Sequence, residues 1–178
     1  MKMNPLGRTG LDVSVVGLGT MTWGEQNSEA EAHQQMDAAL AAGVNFFDAA
    51  EMYPVPPKAE TQGRTEQYIG TWFKARGSRQ RVILATKVTG PADSAWIRGG
   101  PHPPRAQIAQ AVETSLQRLQ TDYIDLYQVH WPDRPTNYFG KLGYTAQDNP
   151  KAVSIEETLE ALDRLVRAGK VRHIGISN

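Results

Sequence analysis

Short apolar runs alternate with amphipathic segments along most of this chain, and few architectures tolerate that rhythm. The runs are Val15–Thr20, Val44–Asp48, Arg81–Val88, Tyr123–Trp131 and Val171–Ser177. Between them, helices are expected from Ser28 to about Ala42, from about Thr65 to Arg76, from Arg105 to about Leu119, and from Ser154 to Gly169. Two of these begin with a capping-box pattern, Ser28 with Glu31 and Ser154 with Glu157. Gly43 and Gly169 stand where a helix C-terminus wants a left-handed residue. The apolar positions recur at helical spacing: Ala32, Met36, Ala39 and Leu40, then Ile108, Val112, Leu116 and Leu119, then Ile155, Leu159, Leu162, Leu165 and Val166. Strand and helix in strict alternation build a parallel sheet from βαβ units, which is an α/β fold. Periodicity leaves two forms open, a doubly wound sheet and a (β/α) barrel. Ahead of the first unit, Met3–Leu6 and Leu11–Ser14 flank a Gly7–Gly10 turn and read as a hairpin.

At 178 residues the chain is expected to form one domain, spanning 1–178. Lys plus Arg and Asp plus Glu are both 19, so the net charge is zero, against the basic excess of most nucleic-acid binders. There is no cysteine, which excludes disulfides, thiolate metal sites and thiol nucleophiles. The histidines, His33, His102, His130 and His173, show no ligand spacing, so no metal site is expected. Met1–Gly10 has neither the apolar core nor the cleavage site of a signal peptide, and no run approaches a bilayer span. A soluble, cytoplasmic protein without membrane or nucleic-acid partners is the expectation.

Gly17-Leu18-Gly19 after a strand invites a dinucleotide-fingerprint reading. That fingerprint needs a further Gly or Ala where this chain has Thr22, and a helix that begins at once. Here Trp23 and Gly24 intervene and the helix waits for Ser28. The pair reads as loop glycines.

In parallel βαβ folds the working face lies at the C-terminal ends of the strands. Asp48, Lys87 and His130 each end an otherwise apolar run, with Tyr53 in the loop after Asp48. The opposite ends read Val44, Arg81, Tyr123 and Val171, with one charge. Each polar residue taken singly has a bland account: a cap, a packing tyrosine, a solvated lysine, a satisfied histidine. Together, on one face and in successive units, they point to chemistry. A lysine held charged by a carboxylate and lying near a phenol favours the phenolate, which lowers the tyrosine pKa from about 10. Tyr53 is then a proton donor, and His130 can orient a substrate oxygen. The set suits protonation of a carbonyl oxygen that gains negative charge. The natural complement at carbon is a hydride from a nicotinamide cofactor.

At Gly17–Thr20, Asp48–Tyr53, Ala85–Val88, Asp125–Pro132 and Ile174–Asn178, in order and at suitable spacing, the chain resembles the aldo-keto reductases. The match runs from Gly7 to Asn178. The Arg134–Tyr144 segment and the Tyr53–Pro57 loop look closest to the family's bacterial Tas-like subgroup. The resemblance implies a (β/α)8 TIM barrel with the hairpin closing its bottom, of which this chain supplies an N-terminal portion with about five of eight strands. It implies NADP(H)-dependent reduction of aldehydes or ketones, with Tyr53 as general acid, Lys87 and Asp48 tuning it and His130 orienting the carbonyl. Gly19, Thr20 and Met21 would line the nicotinamide end, Asp48 would lie beside it, and Ser177 and Asn178 would hold its carboxamide. Trp23 and Trp131 would form an apolar substrate wall. Two other readings stand beside the reductase: a nucleotide-binding regulatory subunit similar to channel β subunits, and a catalytically incompetent fragment. The substrate, the oligomeric state and the choice of NADPH over NADH are not legible in the residues.

Overall fold

A computed structural model describes residues 1–90, 96–99, 105–134, 142–145, 148–149 and 152–178. Most of the Arg134–Tyr144 motif therefore lies outside the described residues.

The hairpin pairs β1 (Met3–Pro5) with β2 (Asp12–Ser14), antiparallel. Asn45 docks it below the sheet: its side chain accepts from the Ser14 amide at 2.8 Å and donates to the Asp12 carbonyl at 2.9 Å. The main sheet contains β3 (Gly17–Gly19), β4 (Phe46–Asp48), β5 (Ile83–Val88), β6 (Ile124–Val129) and β7 (Val171–Ile176). All neighbours are parallel, and the spatial order is the chain order, β3-β4-β5-β6-β7. The crossovers are α1 (Glu29–Ala41), α2 (Arg64–Arg76), α3 (Arg105–Leu119) and α4 (Ile155–Arg167). Each helix packs on the next, in one layer. A doubly wound sheet would reverse its strand order and split its helices between two faces. An unreversed order with one helical layer is the winding of a barrel wall. Among the described residues no helix is long and apolar enough to cross a membrane.

The helix ends follow their local chemistry. Ser28 caps α1 with a complete box: its hydroxyl accepts from the Glu31 amide, and the Glu31 carboxylate takes the Ser28 amide at 2.7 Å. At Ser154 the hydroxyl accepts from the Glu157 amide at 3.1 Å, which is one arm of the expected box. Phe47, Trp72, Leu84, Ile108, Leu119, Ile124, Tyr127 and Leu162 form the core between sheet and helices. In α2, a Cβ on Gly70 would stand 2.2 Å from the Arg118 carbonyl oxygen, so the contact with α3 needs glycine there.

The first run departs from expectation. Val15–Thr20 reads as a buried strand, yet β3 covers only Gly17–Gly19, and Val15 and Val16 are about half exposed at 48% and 53%. Among the described strands β3 has a partner on one side only, and Val15 and Val16 precede it.

Candidate active site

The sheet register brings the singled-out residues to one end. Asp48 closes β4, Lys87 is the penultimate residue of β5, His130 follows β6, and Ser177 and Asn178 follow β7. Asp48 pairs with Ala85, Lys87 with Gln128 and Gln128 with Gly175, so Lys87 stands two residues further along than Asp48, on the same face of the sheet. A second, smaller apolar cluster lies beyond the strand ends, made of Ala50, Met52, Tyr53, Ile97 and Trp131.

Lys87 is the hub. Its ammonium donates to Asp48 Oδ2 at 2.7 Å and to the Ala49 carbonyl at 2.8 Å, and lies 5.1 Å from the centre of the Tyr53 ring. The Tyr53 and His130 rings meet edge-on, with centroids 5.9 Å apart. His130 in turn stacks, tilted, on Trp131 at 4.5 Å. The backbone of Tyr53 is held on both sides, its amide by the Ala50 carbonyl at 3.1 Å and its carbonyl by the Gly63 amide at 2.9 Å. Trp131 comes this close because Gly90 has no side chain: a Cβ there would lie 2.4 Å from the Trp131 carbonyl oxygen.

Burial pushes the Tyr53 phenol up to about 12, and the Asp48 carboxylate adds to the rise. This corrects the lowered value expected from the sequence. The ammonium of Lys87 is neutralised at 2.7 Å by Asp48, so the pair exerts little net positive field on the phenol. His130 moves the other way. Burial and then the Lys87 charge bring its imidazole down to about 4. It is therefore neutral at physiological pH, with one ring N–H to give. Its Nδ1 is buried and has no partner among the described residues.

The residues expected around a nicotinamide divide into two groups. Thr20 is buried, its hydroxyl donating to the Asp48 carbonyl at 2.8 Å, and so it braces β3 against β4. Met21 is half exposed, and the Cα face of Gly19 opens on empty space. Ser177 and Asn178 are exposed at the end of β7, where the Ser177 amide extends the ladder to the Val129 carbonyl at 2.9 Å. Asn178 donates its side-chain amide to the His130 carbonyl at 2.7 Å, which turns its own oxygen outward. A hydroxyl donor beside an amide oxygen matches the donor and acceptor of a carboxamide, so this set fits the nicotinamide end of a dinucleotide.

Of the two tryptophans, Trp131 lies beside Tyr53 and Trp23 does not. Trp23 is buried in the main core, with its indole N–H on Gln35 at 2.8 Å, so in this structure it is a packing residue. Sequence reasoning also missed Glu51, Arg98 and Ile97. Glu51 is a fully buried carboxylate gripped by Arg98, and Ile97 touches the Tyr53 cluster. The signal available was a carboxylate set in the apolar Ala49–Met52 stretch, with nothing to say what it would pair with.

The family model for the aldo/keto reductase family matches residues 15–178. Protein tas of Escherichia coli is 56% identical over 180 residues, covering 100% of this chain and 52% of that protein. An aldo-keto reductase from Bacillus halodurans, solved in its holo form, is 38% identical with a TM-score of 0.72, over 99% of this chain and 50% of that one. An aldo-keto reductase from Klebsiella pneumoniae, solved in complex with NADPH, is 36% identical with a TM-score of 0.61, over 94% of this chain and 46% of that one. The chain thus spans about half the length of these relatives. Its five-stranded wall is the corresponding part of a (β/α)8 barrel, and the chain belongs to the aldo/keto reductase family.

Proposed function

We propose that the protein carrying this chain reduces aldehydes or ketones to alcohols with NADP(H), and that Tyr53 is the proton donor. The observation that carries this reading is the arrangement of Asp48, Lys87, Tyr53 and His130 at adjacent strand ends, with an ion pair 2.7 Å long under the phenol ring. The choice of NADP(H) draws on family membership and on the Klebsiella relative solved with NADPH. Gly19, Met21, Ser177 and Asn178 would hold the nicotinamide end, and Thr20 keeps that rim in place. When bound, the reduced nicotinamide supplies hydride to the carbonyl carbon.

The chain's own residues do the rest. His130, neutral, donates its ring N–H to the substrate oxygen and fixes the orientation of the carbonyl. Tyr53, with its pKa near 12, is loaded with its proton throughout the physiological range. As the carbonyl oxygen becomes an alkoxide it is a far stronger base than a phenolate, so the proton passes from Tyr53 downhill. The phenolate left behind has its ring centre 5.1 Å from the Lys87 ammonium, which Asp48 and the Ala49 carbonyl hold in place. Met52, Ile97 and Trp131 line the donor's surroundings with apolar atoms and keep competing water away. A regulatory role based on nucleotide binding alone has no use for this proton-handling set.

The test is NADPH consumption with a reactive aromatic aldehyde, in the longest natural chain that contains residues 1–178, beside Tyr53→Phe. Turnover should drop about 100-fold or more in the variant while NADPH still binds. A Tyr53→Phe protein as active as the unaltered one would remove Tyr53 from the mechanism.

A further inference from the structure

Between Asp48 and Tyr53 the loop carries a fully buried carboxylate, Glu51. Its Oε1 accepts the Thr89 amide at 2.6 Å, and Arg98 grips both oxygens, at 2.5 and 2.6 Å. The Glu51 backbone is tied down as well, its amide to the Lys87 carbonyl at 3.2 Å and its carbonyl to the Gln62 side chain at 2.5 Å. Three separate pieces of chain thus converge on one residue: α2's leading loop, the exit of β5, and the 96–99 segment.

Packing does not call for this. A buried ion pair is a poor stabiliser, and apolar residues of like volume would serve the core as well or better. The surroundings are costly too. Thr89 Oγ1, Arg98 Nε and Tyr127 Oη are buried without a partner among the described residues. What a forked ion pair supplies is geometry, because guanidinium and carboxylate meet in one plane and one register. The position matters. Thr89 is two residues past Lys87, Glu51 two before Tyr53, and Ile97, next to Arg98, packs in the Tyr53 and Trp131 cluster.

We propose that Glu51 and Arg98 are positioning residues for Tyr53. The pair sets the height of the phenol over Lys87 and holds Ile97 against it as the outer wall of the donor's pocket. This rests on Tyr53 being the proton donor, so the test has one arm that needs no turnover. In that arm, amide hydrogen exchange is followed without ligand in the unaltered protein, in Arg98→Lys, and in the paired variant Glu51→Leu with Arg98→Met. The paired variant removes both charges together and leaves no orphaned ion. Exchange over 49–55 should quicken about tenfold or more in the paired variant while 83–88 keeps its rate. Arg98→Lys, which keeps the charge and loses the fork, should fall between. In the second arm, kcat of the paired variant should drop about tenfold or more, as small misplacements of a reacting group do, with NADPH affinity within twofold.

Exchange over 49–55 that stays at the unaltered rate, or rises in step with 83–88, overturns the proposal, since the pair would then be inert or a general stabiliser. Unchanged kcat in the paired variant overturns it equally. If that variant does not fold, Arg98→Lys decides by the same two readings. If the unaltered protein reduces no aldehyde, the reductase reading falls and the exchange arm alone judges the clamp.

Discussion

Tyr53 and His130 are pushed in opposite directions by the same burial, and both end up neutral. Burial disfavours whichever form is charged, so a phenol moves up and an imidazole down. For His130 this has a consequence in the folding equilibrium. Its ordinary value is 6.5 and its folded value about 4, so between them the unfolded chain binds a proton that the native state refuses. Stability therefore falls as pH is lowered through that window, by on the order of 3 kcal/mol in all. Urea unfolding of the unaltered protein and of His130→Gln, at pH 7 and pH 4, should show the variant losing less on acidification. Equal losses would mean that His130 is not held neutral. Asp48, Lys87 and His130 could be picked out of the sequence because a polar residue ending an apolar strand has a fixed place in a parallel sheet. Glu51, Arg98 and Ile97 could not, since loops bring them together and no period governs loops. The Tyr53 shift was misjudged for a related reason. Lys87 and its carboxylate partner were legible as neighbours, but the burial of the phenol, which leads the rise, was not.

Among the elements, helices announced themselves more clearly than strands. Ser28 and Ser154 mark starts by side-chain chemistry, and the left-handed glycines Gly43 and Gly169 mark stops, at φ of 84° and 74°. The strands gave their presence and direction but not their burial, as Val15 and Val16 show. One helical residue reverses an ordinary rule. In an exposed helix interior, replacing glycine by alanine gains about 1 kcal/mol. At Gly70 the new methyl would sit 2.2 Å from a backbone carbonyl of α3, which no rotamer can relieve. Gly70→Ala should therefore destabilise, by about 2 kcal/mol, as overpacking does. Thermal unfolding decides the sign, and a raised melting temperature would mean that α2 and α3 are further apart than described.

For the whole molecule, alternation alone could not separate a barrel wall from a doubly wound sheet, because both obey it. The unreversed strand order separates them. That order also leaves β3 and β7 as edges, with Val16 and Ile176 half exposed beside them at 53% and 51%. Open edges with apolar side chains recruit other strands. Residues 1–178 prepared alone should sediment as species heavier than 19.6 kDa at tens of micromolar, about where such contacts become populated. Ile176→Lys should shift the distribution back toward the single chain, and a monodisperse 19.6 kDa species in the unaltered piece would contradict this.

Because each strand pairs with the one made just before it, the site has a chronology. Asp48 and Lys87 are 39 residues apart, Glu51 and Thr89 38, His130 and Asn178 48. Closing loops of that length costs little more than closing shorter ones, since the entropy grows only with the logarithm of length. During vectorial synthesis Asp48, Tyr53 and Lys87 can meet soon after residue 90 leaves the ribosome. Gly19–Met21 are already made by then, while Ser177 and Asn178 come last, so the proposed nicotinamide rim closes only after the Asp48, Tyr53 and Lys87 group has formed.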